Sequence, residues 1–151
     1  MSKAIMIIRE MTEEDLPQVI DLYKQLDSKN ENIDLEKSKL IFKKSNKTQI
    51  IKYMVAEIDG KIVSSCYLVV IPNITNNCKS IGFIENVITD KNHRGKGIGR
   101  KIISQVIELA KKEQCYKVIL QSAMKRTQAH KFYEKIGFDG NSKKAFDFRI
   151  E

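Results

Sequence analysis

The run Arg94-Gly95-Lys96-Gly97-Ile98-Gly99 places three glycines in six positions, after an apolar segment and before an amphipathic one. No other feature of the chain narrows its fold as much. Ile81 through Thr89 predicts a strand, and Ile98, Ile102, Val106, Leu109 and Ala110 recur at helical spacing. A glycine-rich turn between them lets backbone approach a ligand closely, and the first N–H groups of the helix lack intrahelical partners and therefore attract an anion. The charge agrees with this reading. Residues 91–112 carry seven Lys or Arg and one Glu, in a chain of formal net charge +8. No repeated aromatic-basic pattern marks a nucleic-acid platform, so a phosphate-bearing small ligand fits better.

The remaining segments extend the alternation of strands and helices. Ile5-Met6-Ile7-Ile8 predicts a first strand, and Thr12-Glu13-Glu14-Asp15 resembles a helix-start capping box, with Asp15 an alternative cap that would place Pro17 in the first turn. Leu16, Val19, Ile20, Tyr23 and Leu26 share one face of that helix, and a second helix is expected from Asp34 through Lys44. Ile50–Ile58 and Ile62–Val70 read as strands around the hairpin dipeptide Asp59-Gly60, and residues 73–79 as a loop. After the glycine-rich turn come a helix over Ile98–Lys112, a strand over Lys117–Leu120, a helix over Thr127–Ile136 and a strand over Ala145–Ile150. The expected class is α/β (α+β): a mixed central sheet flanked by helices, in a single domain over residues 1–151.

With 42% hydrophobic and 30% charged residues the chain has the apolar material for one substantial core. The N-terminal MSKAIMIIREM has neither the apolar length nor the cleavage pattern of a secretory signal, so a cytoplasmic protein is expected, without a membrane partner. Cys66, Cys78 and Cys115 are dispersed and His93 and His130 isolated, which favours reduced thiols and no metal site.

The segment from Arg94 to Gly99 resembles the acetyl-CoA-binding pattern of the GNAT superfamily, Arg/Gln-x-x-Gly-x-Gly/Ala. The resemblance extends through Ile84-Glu85-Asn86-Val87 and Phe132-Tyr133-Glu134-Lys135-Ile136-Gly137-Phe138. It implies a GNAT-like fold and transfer of an acetyl group from acetyl-CoA to a primary amine by direct attack in a ternary complex. Arg94, Gly95, Lys96, Gly97, Ile98 and Gly99 would then hold the pyrophosphate, and Val87 and Ile88 the pantetheine arm through strand backbone. Where many relatives carry Asn seven residues before the tyrosine, this chain has Arg126, either a coenzyme A phosphate contact or a solvent-facing residue. Glu85 resembles the acid on the catalytic strand of several such enzymes, and would bind the amine, remove its proton directly or through water, or serve an internal ion pair. Tyr133 matches the position whose hydroxyl lies near the departing sulfur.

The leading acceptor is a small-molecule amine, such as an amino sugar or a diamine. A protein N-terminus or lysine side chain is the alternative acceptor, and an acetyl-CoA-binding regulatory module the alternative to an enzyme. Nucleic-acid binding is disfavoured, and a homodimer is compatible with the sequence.

Overall fold

The first strand is anchored by charge as well as by backbone pairing. Arg9 sends its guanidinium fork to two carboxylates: Nη1 and Nη2 donate to Asp15 at 2.7 and 2.9 Å, and Nε and Nη2 donate to Glu57 at 3.1 and 2.7 Å. A planar donor fork suits this double task where a lysine ammonium would not. Asp15 also accepts the Thr12 backbone N–H at 2.8 Å, as the capping-box reading expects. One side chain thereby ties the start of the first helix to two strands.

The computed structural model describes residues 3–151; Met1 and Ser2, at which the single domain expected from the sequence begins, lie outside the described residues. The chain forms two compact units, one ending at Ile119 and one running from Leu120 to Glu151. The first contains β1 (Met6–Glu10), α1 (Leu16–Leu26), α2 (Leu35–Thr48), β2 (Ile51–Ile58), β3 (Lys61–Ile71), β4 (Ser80–Thr89) and α3 (Ile98–Lys112). It ends within β5 (Cys115–Leu120). The five strands are neighbours in chain order, and β1 through β4 pair antiparallel. Asp59 and Gly60 turn β2 into β3 with φ of 49° and 78°, the left-handed pair that a two-residue hairpin requires.

Two helical layers cover this sheet. Leu16, Val19 and Leu22 of α1 and Phe42 of α2 are buried in one cluster with Val55, Ile62 and Ile88, and Tyr53 packs against it. Leu68 neighbours Tyr67, the cross-strand partner of Tyr53, and so belongs to the opposite face. On that face α3 packs with Ile102, Ile103 and Val106 fully buried. The arrangement is the expected mixed α/β class with a central sheet flanked by helices.

The second unit contains α4 (Thr127–Ile136), which ends at Gly137 with φ 119°. Phe132 and Tyr133 meet with ring centroids 5.1 Å apart, and Tyr133 and Phe138 at 5.9 Å.

Three segments differ from the sequence reading. The second helix runs past Lys44 to Thr48, and Gln49 stops it with φ 59°. Within the expected loop, Asn76, Asn77 and Cys78 turn left-handed with φ of 53°, 60° and 61°. The strand expected over Ala145–Ile150 is absent, and no residue after Gly137 lies in a helix or strand. Alternation in Phe146-Asp147-Phe148-Arg149-Ile150 specifies a face, but a strand also needs a neighbour for its N–H and C=O groups. None of the described strands pairs with this segment, and Phe146, Phe148 and Ile150 are 86%, 90% and 91% exposed. No helix among the described residues is long and apolar enough to cross a membrane.

Arg9 holds the Asp15 carboxyl below its ordinary range, chiefly by side-chain hydrogen bonding. A carboxylate depressed in the folded state stabilises fully above its unfolded pKa of about 3.9 and loses that contribution as pH falls through the folded value. Asp15→Ala should therefore destabilise the protein by about 2 kcal/mol at pH 7, and by clearly less below about pH 3. Urea unfolding of both proteins at the two pH values measures the difference.

Candidate active site

Strand β4 is interrupted midway. Its pairing with β3 passes from Ser65↔Ile88 to Tyr67↔Glu85, so β4 carries one extra residue, and Asn86 takes the left-handed φ of 51°. This is a β-bulge at a residue type that tolerates that conformation. The extra residue shifts the alternation of side chains. Ile88 packs in the α1 cluster, while Glu85 sits opposite Tyr67, whose ring meets Tyr53 of the same cluster. Without the bulge, positions 85 and 88 would fall on opposite faces.

Glu85 consequently ends an aromatic row. Phe42 and Tyr53 have ring centroids 5.3 Å apart and Tyr53 and Tyr67 5.4 Å, with Glu85 next to Tyr67 on β4. Burial and then the Glu85 charge raise the Tyr67 phenol above its ordinary pKa, keeping the hydroxyl protonated at neutral pH. From α1, Tyr23 packs against the same cluster, and burial pushes its phenol up to about 12. A carboxylate beside protonated phenols and aromatic faces is suited to receive a cationic amine. Tyr23, Tyr53 and Asn86 did not emerge as site residues from the sequence. An Asn inside an apolar strand run was the available signal for the bulge.

Beyond Thr89 the chain makes a 3-10 turn over Lys91–His93 and reaches the glycine-rich run. Arg94 Nε donates to the Thr89 carbonyl at 3.0 Å, folding that side chain back over the end of β4. Gly95 and Gly97 have φ of 74° and 76°, and a Cβ added at either would meet nothing within 4 Å. The first intrahelical bond of α3 runs from Lys101 N to Gly97 O at 3.1 Å, and no side chain caps the helix start. The N–H groups of Ile98, Gly99 and Arg100 are thus the helix's unpaired donors, beside the exposed cations Arg94, Lys96 and Arg100. Open space, bare donors and positive charge fit a pyrophosphate.

Two expected cofactor residues turn their side chains away from any ligand. Ile88 and Ile98 are 5% and 4% exposed and turn their side chains into the core. The Ile88 carbonyl already accepts Ser64 Oγ at 2.9 Å. Val87 is half-buried on the bulged strand. The first unit therefore brings Glu85, Val87 and Ile88 onto one strand and Arg94 through Gly99 onto the turn and helix that follow. Arg126 and Tyr133 belong to the second unit, where Arg126 is exposed at the start of α4 and its carbonyl accepts His130 N–H at 3.1 Å. Among the described residues no His, Cys, Asp and Glu cluster could hold a metal ion.

The chain belongs to the acetyltransferase (GNAT) family, whose sequence pattern matches residues 10–138. A solved chain from Agrobacterium tumefaciens str. C58 superposes with a TM-score of 0.89 at 32% identity, over 95% of this chain and 99% of that one. The solved glucosamine-6-phosphate N-acetyltransferase from Arabidopsis thaliana gives a TM-score of 0.82 at 26% identity, over 95% and 98% of the two chains. The glucosamine 6-phosphate N-acetyltransferase of Trypanosoma brucei brucei is 40% identical over 79 residues, 52% of each chain. The matched part thus spans about half the length of such curated relatives.

Because Gly97 is left-handed, any side chain there is strained before a ligand arrives. Gly97→Ala should cost about 1 kcal/mol of stability from the backbone alone. Denaturant titration without ligand reads this cost, and an unchanged midpoint would contradict the left-handed conformation.

Proposed function

We propose that the protein transfers the acetyl group of acetyl-CoA to the primary amine of a small molecule, with a phosphorylated amino sugar as the preferred acceptor. The observation that carries this reading is the continuity of the bulged strand, with Glu85 beside Tyr67, into a cationic turn of unpaired N–H groups. Such a path suits a donor whose reactive end and pyrophosphate lie far apart. The similarity to glucosamine 6-phosphate N-acetyltransferases supports the acceptor class, as does the net charge of +8, which favours a phosphate-bearing substrate. The whole chain acts as one acetyltransferase domain in this reading. Three free thiols accord with a reducing, cytoplasmic setting.

A primary ammonium with a pKa of about 10.4 is deprotonated in only about one molecule per thousand near neutral pH. Glu85 removes that proton directly or through a water, and Tyr67 helps to orient the amine. The nitrogen lone pair then forms a bond to the thioester carbonyl carbon, and the carbon–sulfur bond breaks with its electron pair on sulfur. Val87 and Ile88 hold the pantetheine arm through strand backbone. Gly95, Gly97, Ile98 and Gly99 offer backbone N–H groups to the pyrophosphate, while Arg94, Lys96 and Arg126 add charge. Tyr133 donates a hydrogen bond to the departing sulfur. A thiol of pKa about 8.5 is more acidic than a phenol of about 10, so hydrogen bonding as sulfur departs is favoured over full early proton transfer.

The test couples thiol release to mass analysis of products across glucosamine 6-phosphate, glucosamine, a diamine and a peptide with a free N-terminus. Appearance of free thiol with one acetyl added chiefly to the phosphorylated sugar is the expected result. Acetylation confined to the peptide, or acetyl-CoA binding with no turnover on any amine, would overturn the assignment.

Glu85→Gln should lower kcat by about a hundredfold, with little effect on acetyl-CoA affinity. Steady-state rates at saturating acetyl-CoA and acetyl-CoA titration of both proteins decide this. Tyr133→Phe should slow single-turnover acetyl transfer about tenfold while leaving the melting temperature and acetyl-CoA affinity nearly unchanged. Equal single-turnover rates for the two proteins would remove Tyr133 from the leaving-group step.

A further inference from the structure

The turn that leads into the glycine-rich run has little backbone bonding of its own. Asp90 N–H donates to the Val63 carbonyl at 2.8 Å, completing the β3–β4 ladder, and His93 N–H donates to the Asp90 carbonyl at 2.8 Å. Side chains do the rest. Asp90, 4% exposed, accepts Gln25 Nε2 at 2.9 Å on one carboxylate oxygen and meets His93 Nδ1 at 2.6 Å on the other. Lys61 Nζ stands 3.9 Å from that second oxygen. The far end of the same Gln25 amide accepts the Lys91 backbone N–H at 2.9 Å.

Gln25 lies in the last turn of α1, far in sequence from the phosphate-facing run, and both ends of its amide are committed to this turn. Its donor end offsets a buried carboxylate that stands close before a site built for anions. Its acceptor end fixes the backbone one residue further on. On the other side, Arg94 Nε grips the Thr89 carbonyl. The segment between Thr89 and Gly95 is therefore clamped from α1 and from β4 before the chain reaches its unpaired N–H groups.

We infer that Gln25 is a positioning residue for acetyl-CoA: by bridging the Asp90 carboxylate and the Lys91 N–H, it fixes the turn from which the pyrophosphate-binding N–H groups of residues 95–99 are aimed. The inference rests on the acetyl-CoA reading above. Gln25 does not touch the cosubstrate and acts through the turn. Its effect is consequently confined to donors that carry the pyrophosphate. A donor that ends at pantetheine engages the strand and not the turn.

Gln25→Met keeps the length of the side chain and removes both hydrogen bonds. It should raise the Kd and KM for acetyl-CoA about tenfold while leaving the acceptor KM, and kcat at saturation, within about twofold. Turnover of S-acetylpantetheine, which lacks the pyrophosphate, should change less than twofold. Combining Gln25→Glu with Asp90→Asn exchanges donor and acceptor across the pair and should recover most of the lost affinity. Calorimetric titration with acetyl-CoA, kinetics with both donors and thermal unfolding are measured on each protein.

Unchanged acetyl-CoA affinity in Gln25→Met, with the wild type binding normally, overturns the inference alone. Equal losses with acetyl-CoA and S-acetylpantetheine, or a fall in melting temperature with no recovery in the double variant, reduce Gln25 to a structural contact and also overturn it. Failure of the wild-type protein to bind acetyl-CoA overturns this inference together with the reading on which it rests.

Discussion

Strand β3 is the constraint on which the first unit depends. Val63, Ser64, Ser65, Cys66 and Leu68 are all fully buried, because α1 covers one face of the sheet and α3 the other. Polar atoms in such a strand can be satisfied only from inside the protein, and Ser65 Oγ has no hydrogen-bond partner among the described residues. Ser64 Oγ does, donating to the Ile88 carbonyl at 2.9 Å and lying 3.0 Å from Thr89 Oγ1. Both partners belong to β4, just before the chain leaves the sheet, so burial of β3 also holds the root of the glycine-rich turn. Burial likewise pushes the Cys66 thiol up to about 12, leaving it an inert packing group.

The bulge at Asn86 turns this scaffold into a site. A regular β4 would alternate strictly, and Glu85 and Ile88 would serve opposite faces. One inserted residue lets the carboxylate join the aromatic row while Ile88 still plugs the α1 cluster. The same strand therefore contributes a carboxylate and core packing to one face within four positions.

The long periodic elements were legible in the sequence because local pattern decides them. The helix over Ile98–Lys112 and the helix over Thr127–Ile136 begin and end where their apolar stripes and glycines indicate. The glycine-rich turn could be read because its chemistry is backbone chemistry, written in residues that permit left-handed φ. The acceptor side was less visible. Which tyrosines meet Glu85 depends on the register of β2, β3 and β4, and that register depends on a bulge which alternation alone does not locate. Ala145–Ile150 failed for a related reason: a two-residue period names a face but not the edge that would pair with it. Gln25 was hidden still more completely, since nothing about one exposed glutamine at a helix end announces two long-range hydrogen bonds.

Strand order in the sheet follows chain order, and this bears on how the protein acquires its structure. The β2–β3 hairpin closes through two residues and β4 follows after a short excursion, so these pairings form early, a hairpin of this kind assembling in roughly microseconds. Met6↔Ile58, by contrast, closes a loop holding both α1 and α2. That closure carries the larger loss of chain entropy and brings non-local contacts, which fold more slowly. Arg9 contacts Glu57 only after it. The hairpin and β4 thus act as a template that the N-terminal third joins late, and Gln25 reaches Asp90 only when α1 has docked. The hold that Gln25 takes on Asp90 and Lys91 is in this sense a late event in folding, gated by the arrival of a helix that comes first in the chain.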